Sequence, residues 1–241
     1  MSDLIKLKQN NSEVIVDPQG AYLKSWKTLG EDHLFPDQNL LINGQSKRRG
    51  GIPILFPWAD ELPNLPRHGF GRDLLWKIIT QIPQELKLLL ISNDHTTPLY
   101  PYKFEADYQI TLSDNSLNLC LQITNTDSNP IPLAPGFHPY FPYPKNITGI
   151  SLNNYQPGST IHFPISQIPL ISPITLIPSG DFLNPLANWA VWTDNLSYLC
   201  LEPWSAPAGG LLQVGMHLEL NPQEKAVFTF QIETTPSPKA F

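Results

Sequence analysis

His138 stands in PGFHPYFPYP, residues 135–144, one imidazole among four prolines, one glycine and four aromatic residues. Glu202 follows an apolar run in SYLCLEPWSAP, and His68 sits in LPRHGFGR. The chain's only arginines, Arg48, Arg49, Arg67 and Arg72, fall within 25 residues, flanking GGIPILFPW and RHGFGR. A histidine and a carboxyl group are the pair that moves protons to and from reacting oxygens near neutral pH. Guanidinium groups present planar forks of donors suited to phosphate, carboxylate or sugar hydroxyls. Arg49 and Arg72 lie beside glycines that permit close approach and are read as ligand contacts, whereas Lys47 and Arg48 are read as a solvated patch. Aromatic walls carrying a few polar handles are the usual lining for a sugar ring. His33, His95, His162 and His217 have no such company in the sequence and are read as surface or structural.

The elements that must hold these groups read as strands. In FEADYQITL, Phe104, Ala106, Tyr108, Ile110 and Leu112 share one face, and after SDNS the residues Leu117, Leu119, Leu121 and Ile123 alternate in the same way. Period-two alternation across a turn predicts a hairpin. A second hairpin is expected in LLWKIITQIPQELKLLLISND with its turn at PQE, and a third from MHLEL through NPQEK into AVFTFQIE. SYLCLEPW as a strand puts Tyr198, Cys200 and Glu202 on one face and Leu199 and Leu201 on the other. Pro135, Pro139, Pro142 and Pro144 fix φ and remove donors, so the residues around His138 are expected to form a stiff loop, neither helix nor interior strand. The tail from about residue 234 is expected to be loose.

Composition narrows the class. Proline makes up 26 of 241 residues, about twice the usual ~5%, and is spread so that long helices are excluded. Disorder is excluded as well, because 41% of residues are hydrophobic and only 15% charged. Many short strands between Pro, Asn, Asp and Gly turns predict an all-β, antiparallel two-sheet sandwich spanning residues 1–241 as one domain. A net charge of −6 argues against nucleic acid as a partner. No run is long and apolar enough for a membrane span, and MSDLIKLKQN lacks a signal-peptide core, so a cytoplasmic protein with reduced Cys120 and Cys200 is expected. Neither metal-ligand spacing, a G-x-S-x-G elbow nor a G-x-G-x-x-G loop occurs.

Taken in order, RGGIPILFPWADELPNLPRHGFGR, GFHPYF and CLEPWSAP resemble the aldose 1-epimerase (galactose mutarotase) family, most closely its hexose-6-phosphate mutarotase-like branch. The resemblance implies a large β-sandwich with a sugar cleft, no metal or organic cofactor, and interconversion of α and β anomers of a hexose or hexose 6-phosphate. On this likeness His138 would be the acid that protonates the ring oxygen and Glu202 the base for the C1 hydroxyl. His68 would bind the sugar near the ring oxygen, and Arg49 and Arg72 match positions where the phosphosugar branch carries basic residues. An aspartate of the family that binds sugar hydroxyls has Asp181 and Asp194 as its candidates here. The expected partner is a small sugar or sugar phosphate, bound by a monomer. Two rivals stand beside this reading: a non-catalytic sugar-binding sandwich, and a metal enzyme using His68, His138 and Glu202 as ligands.

Overall fold

The computed structural model describes residues 3–42, 44–144, 147–152, 155–156, 159–194 and 197–235. It is an all-β sandwich, with three short 3-10 turns and no α-helix among the described residues. One six-stranded sheet runs in the order Ile174–Gly180, Lys225–Thr234, Ser116–Asn125, Phe104–Leu112, Glu85–Ile91, Lys77–Ile82. We call it the scaffold sheet. The second runs Ile161–Pro164, Asn188–Thr193, Tyr198–Trp204, Gly136–Phe137, Ile54–Leu55, with Tyr140–Pro142 also paired to Tyr198–Trp204. This is the site sheet. A four-stranded sheet built from Ile5–Gln9, Ser12–Asp17, Tyr22–Thr28 and Glu31–Asp32 and two two-stranded ribbons complete the sandwich. All pairs between these strands are antiparallel.

The scaffold sheet follows the alternation in its sequence. Phe104, Ala106, Tyr108, Ile110 and Leu112 are buried, as are Leu117, Leu119, Leu121 and Ile123, and the two strands pair across Ser113–Asn115. The second expected hairpin forms too, Lys77–Ile82 against Glu85–Ile91 around Pro83 and Gln84. Each large apolar side chain so buried contributes roughly 1.5–3 kcal/mol. The two large sheets meet through aromatic rings: Phe137 stacks on Phe230 at 6.0 Å, and Trp189 meets the same ring at 6.1 Å.

Two expectations fail, each for a reason of pairing. Leu218–Leu220 does not turn back onto Lys225–Thr234; it pairs with Ile131–Leu133. Lys225–Thr234 already has Ile174–Gly180 on one side and Ser116–Asn125 on the other, so neither edge is open to its predecessor. The segment around His138 is not a loop but two short strands inside the site sheet. Gly136 pairs with Trp204 on one side and Leu55 on the other, and Tyr140, Phe141 and Pro142 pair with Cys200, Leu199 and Tyr198. The prolines sit where no donor is needed: Pro135 precedes the first strand, Pro139 lies in the break, and Pro142 ends the second. The expected loose tail lies outside the described residues beyond 235.

Candidate active site

The register of the site sheet assembles the chemical groups. Gly136 lies opposite Trp204 and Tyr140 opposite Cys200, so continuing the same register across the break sets His138 opposite Glu202. On the other edge of the same strand Glu202 faces Ala190, and Ala190 in turn faces His162. Because alternate residues share a face, His138, Glu202, Ala190 and His162 form one row across the sheet. Ala190 is small, and the indole of Trp204 shares its apolar cluster. That indole donates from Nε1 to Glu202 Oε2 at 3.1 Å.

His138 and Glu202 are both buried, 6% and 2% exposed, at the floor of a cleft of about 630 Å³. His138 Nε2 lies 3.4 Å from Glu202 Oε1, and its ring stacks on Tyr140 at 4.5 Å. Burial pushes the Glu202 carboxyl up to about 8, against weaker downward pulls from the Trp204 hydrogen bond, Arg67 and Arg72. Burial holds His138 well below the ordinary imidazole range, reinforced by His68, Arg72, Arg67 and Arg49. Among the described residues its Nδ1 has no hydrogen-bond partner, which adds to the penalty on an imidazolium needing two acceptors. Near neutral pH the pair therefore carries one proton, held on the carboxyl. Such a pair can give one proton and take another while its net charge stays constant.

His68 is placed by a tight loop. Its φ of 66° is in the left-handed region, and Gly69 follows at 70°, where an added Cβ would meet the Phe56 carbonyl oxygen. The His68 ring donates from Nδ1 to the Ala59 carbonyl, which can only accept. Nε2 is thereby left as an acceptor, and the ring stands edge-on to His138 at 5.2 Å. Burial and the nearby Arg72 lower its basicity to about 3, so it stays neutral.

The arginines divide. Arg49 lines the cleft, donating from Nε to the Tyr198 hydroxyl at 3.2 Å, with Trp192 5.6 Å from its guanidinium. Arg67 and Arg72 line it from the His68 side, joined by a 2.8 Å hydrogen bond from Arg72 Nη2 to the Arg67 carbonyl. Arg48, read from the sequence as part of a solvated patch, is exposed and is held by both oxygens of Asp37 at 2.6 and 2.9 Å, over the Tyr22 ring. Lys47, read the same way, lines the cleft. Successive residues of the strand Gln45–Arg49 point to opposite faces, and this separates Arg48 from its neighbours.

Other sequence candidates fall elsewhere. Asp181 accepts from the Val227 amide at 2.6 Å, and Asp194 from the Ser197 and Tyr198 amides, so both brace backbone and neither lines the cleft. His162, read as surface or structural, lines the cleft beside Trp204. No sequence signal marks it, because its neighbours Asn188 and Trp204 come from other strands. Cys120 and Cys200 are both free. Among the described residues, one set of His, Cys, Asp and Glu could share a metal ion, and it is His138, Cys200 and Glu202 rather than the trio with His68. Its thiol, pushed well up by burial, would have to ionise to bind, and a bound ion would take the two proton-carrying groups out of use.

Comparison with known proteins identifies the family and the fold. A family model described as aldose 1-epimerase matches residues 3–184, a span that includes His68 and His138 and ends before Glu202. A protein of Cenchrus ciliaris provisionally named glucose-6-phosphate 1-epimerase is 30% identical over 135 residues, 51% of this chain and 41% of its own length. A Salmonella typhimurium protein with the same provisional name is 31% identical over 109 residues, 42% of this chain and 37% of its own. The chain thus spans about two fifths of the length of these curated relatives. The crystal structure of the Slr1438 protein from Synechocystis sp. PCC 6803 superposes with a TM-score of 0.77 at 27% identity, covering 98% of this chain and 97% of that one. A galactose mutarotase related enzyme from Lactobacillus acidophilus shares the fold at 18% identity, with a TM-score of 0.71 over 98% of this chain and 99% of its own. The family match runs through most of the chain, and the fold through nearly all of it. This chain belongs to the aldose 1-epimerase family.

Proposed function

We propose that this chain is an aldose 1-epimerase that interconverts the α and β anomers of a hexose 6-phosphate. The observation that carries this reading is the buried His138–Glu202 pair, 3.4 Å apart, at the floor of a cleft lined by Arg49, Arg67 and Arg72. Opening the ring removes the C1 hydroxyl proton and supplies one to the ring oxygen. In the proposal Glu202, as carboxylate, takes the first and His138, as imidazolium, gives the second. The C1–O5 bond breaks, its electron pair leaves with the ring oxygen, and an open-chain aldehyde remains beside a carboxyl and a neutral imidazole. Rotation about C1–C2 presents the other carbonyl face. Closure then reverses both transfers.

Burial favours the proton on Glu202 and a neutral His138, which is the state that opening leaves behind. A cyclic sugar therefore reacts once the proton has crossed the 3.4 Å from Oε1 to Nε2. Acid and base groups each contribute roughly 10²–10⁴ in rate when held in place, and both are held here by register and packing. His68, with Nδ1 committed to Ala59, accepts a hydroxyl hydrogen rather than donating to the ring oxygen. The phosphate falls to the arginine rim, whose charge-assisted bonds are about twice as strong as neutral ones. The provisional names of the relatives, as glucose-6-phosphate 1-epimerases, support this substrate class.

Polarimetry on freshly dissolved α-glucose, α-galactose and α-glucose 6-phosphate tests the proposal. The expected result is accelerated exchange without added metal, unchanged by EDTA, with the phosphosugar preferred. Exchange no faster than buffer for every sugar would overturn it, and loss of activity in EDTA would shift the chemistry to a metal.

A further inference from the structure

The row across the site sheet does not end at Glu202. Ala190 follows, then His162, whose ring meets Trp204 at 5.2 Å. Two strand spacings put its backbone roughly 10 Å from that of Glu202, on the same face. The ring's proton can be assigned from its neighbours. Asn188 donates from Nδ2 to the carbonyls of Ala206, at 3.0 Å, and Leu186, at 3.3 Å. With the amide nitrogen committed to two acceptors, Oδ1 is the atom that faces His162, 2.7 Å from Nδ1. In the neutral ring His162 Nδ1 must therefore carry the hydrogen, and Nε2 is left as an acceptor on a side chain that lines the cleft. Asn188 is buried, so this arrangement is fixed before any ligand arrives.

We propose that His162 is a substrate-recognition residue whose Nε2 accepts a hydrogen bond from the sugar hydroxyl on C2 or C3. This inference rests on the epimerase reading, which puts the ring oxygen at His138 and O1 at Glu202. The C2–C3 edge lies across the ring from the ring oxygen. It therefore points away from His138, towards the far end of the row, where His162 stands. Asp181 and Asp194 brace backbone, and of the described carboxylates that line the cleft besides Glu202, Asp60 accepts from the Gly209 amide and Glu61 pairs with Arg67. An acceptor with a preset tautomer selects for a hydroxyl and against its absence.

The test compares glucose with 2-deoxyglucose and 3-deoxyglucose in the parent protein, in His162→Phe and in His162→Gln. Phenylalanine keeps a ring against Trp204 and removes both nitrogens, while glutamine retains an acceptor. In the parent, the analogue lacking the contacted hydroxyl should show kcat/KM about five- to tenfold below glucose, the size of one neutral hydrogen bond. His162→Phe should lower glucose by the same factor and leave that analogue unchanged, so the gap closes. His162→Gln should restore part of it. Equal loss on all three sugars, no loss on any, or a parent that treats the three alike would overturn the inference while leaving the epimerase reading intact. Should the parent exchange no aldose, that reading fails, and calorimetric binding of the same three sugars decides the inference by the same pattern. A parent that also binds none of them overturns both.

Discussion

The two large sheets bury their residues in different ways. The scaffold sheet alternates: in Phe104–Leu112 every second residue is buried and the others are half-exposed. The central strand of the site sheet, Tyr198–Trp204, is buried at all seven positions. One of its faces, with Leu199 and Leu201, packs on the core, while the other carries Tyr198, Cys200, Glu202 and Trp204 beneath the cleft. The scaffold sheet separates oil from water. The site sheet separates oil from a cleft floor of buried polar groups, and it is burial that moves the Glu202 and His138 protons away from their ordinary range.

This contrast predicts that lesions in the two sheets fail in different ways. His138→Asn and Glu202→Gln should each lower kcat by about 10²–10⁴, and the double variant should lose little more, because the two act as a unit. Their melting temperatures should stay at or above the parent's. Phe230→Ala, in the scaffold sheet, should remove about 3–5 kcal/mol of unfolding free energy yet leave kcat unchanged in the protein that remains folded. Stopped-flow polarimetry beside urea titration would separate these outcomes. A catalytic defect in Phe230→Ala without loss of stability would break the comparison.

A smaller effect sharpens it. In the folded state Glu202 holds its proton up to about 8, whereas an unfolded glutamate releases it near 4.5. Between those values the folded chain binds the extra proton, so stability attributable to this group is lost as pH rises through that window. Each pH unit there is worth about 1.4 kcal/mol at most. Glu202→Gln removes the dependence, and its stability relative to the parent should therefore grow from pH 5 to pH 8 and level off above. The parent's kcat/KM should fall as pH rises past about 8, when the pair loses its shared proton. Parallel stability curves for the two proteins would rule out the raised carboxyl.

The smallest effects belong to the arginines. Arg49→Ala and Arg72→Ala should raise KM for glucose 6-phosphate about tenfold, the scale of one charge-assisted bond, with less change for glucose. Arg48→Ala, one residue from Arg49 but tied to Asp37, should leave both KM values alone and cost at most about 1 kcal/mol in stability. Equal KM changes for sugar and phosphosugar would mean that Arg49 and Arg72 bind hydroxyls or brace loops instead.

The same contrast explains what could be read from the chain. Alternation over nine or ten residues in Phe104–Leu112 and Ser116–Asn125 identifies a half-buried sheet, because local side-chain polarity reports its two environments. Tyr198–Trp204 was legible for a related reason, its face of Tyr198, Cys200 and Glu202 standing apart from Leu199 and Leu201. The strands around His138 were not, since proline reports which donors are missing and not whether the sheet needs them. The sequence pattern gives Leu218–Leu220 the wrong partner because pairing depends on which edges are already taken. His162 carries no signal in the sequence, for want of neighbours there. Its hydrogen-bond partner Asn188 and its ring partner Trp204 arrive only through strand register.

The placing of the tryptophans has an optical consequence. Of the six, Trp26, Trp58, Trp76 and Trp189 are sealed in the interior at 1% exposure or less, while Trp192 and Trp204 line the cleft. The four interior indoles emit from surroundings that a ligand does not reach. The other two border the site, one near the Arg49 guanidinium and one bonded to Glu202. Intrinsic fluorescence therefore divides into a constant background and a signal that originates at the cleft. Occupancy of the site can be followed without a label, and Trp192→Phe would show which of the two indoles reports it.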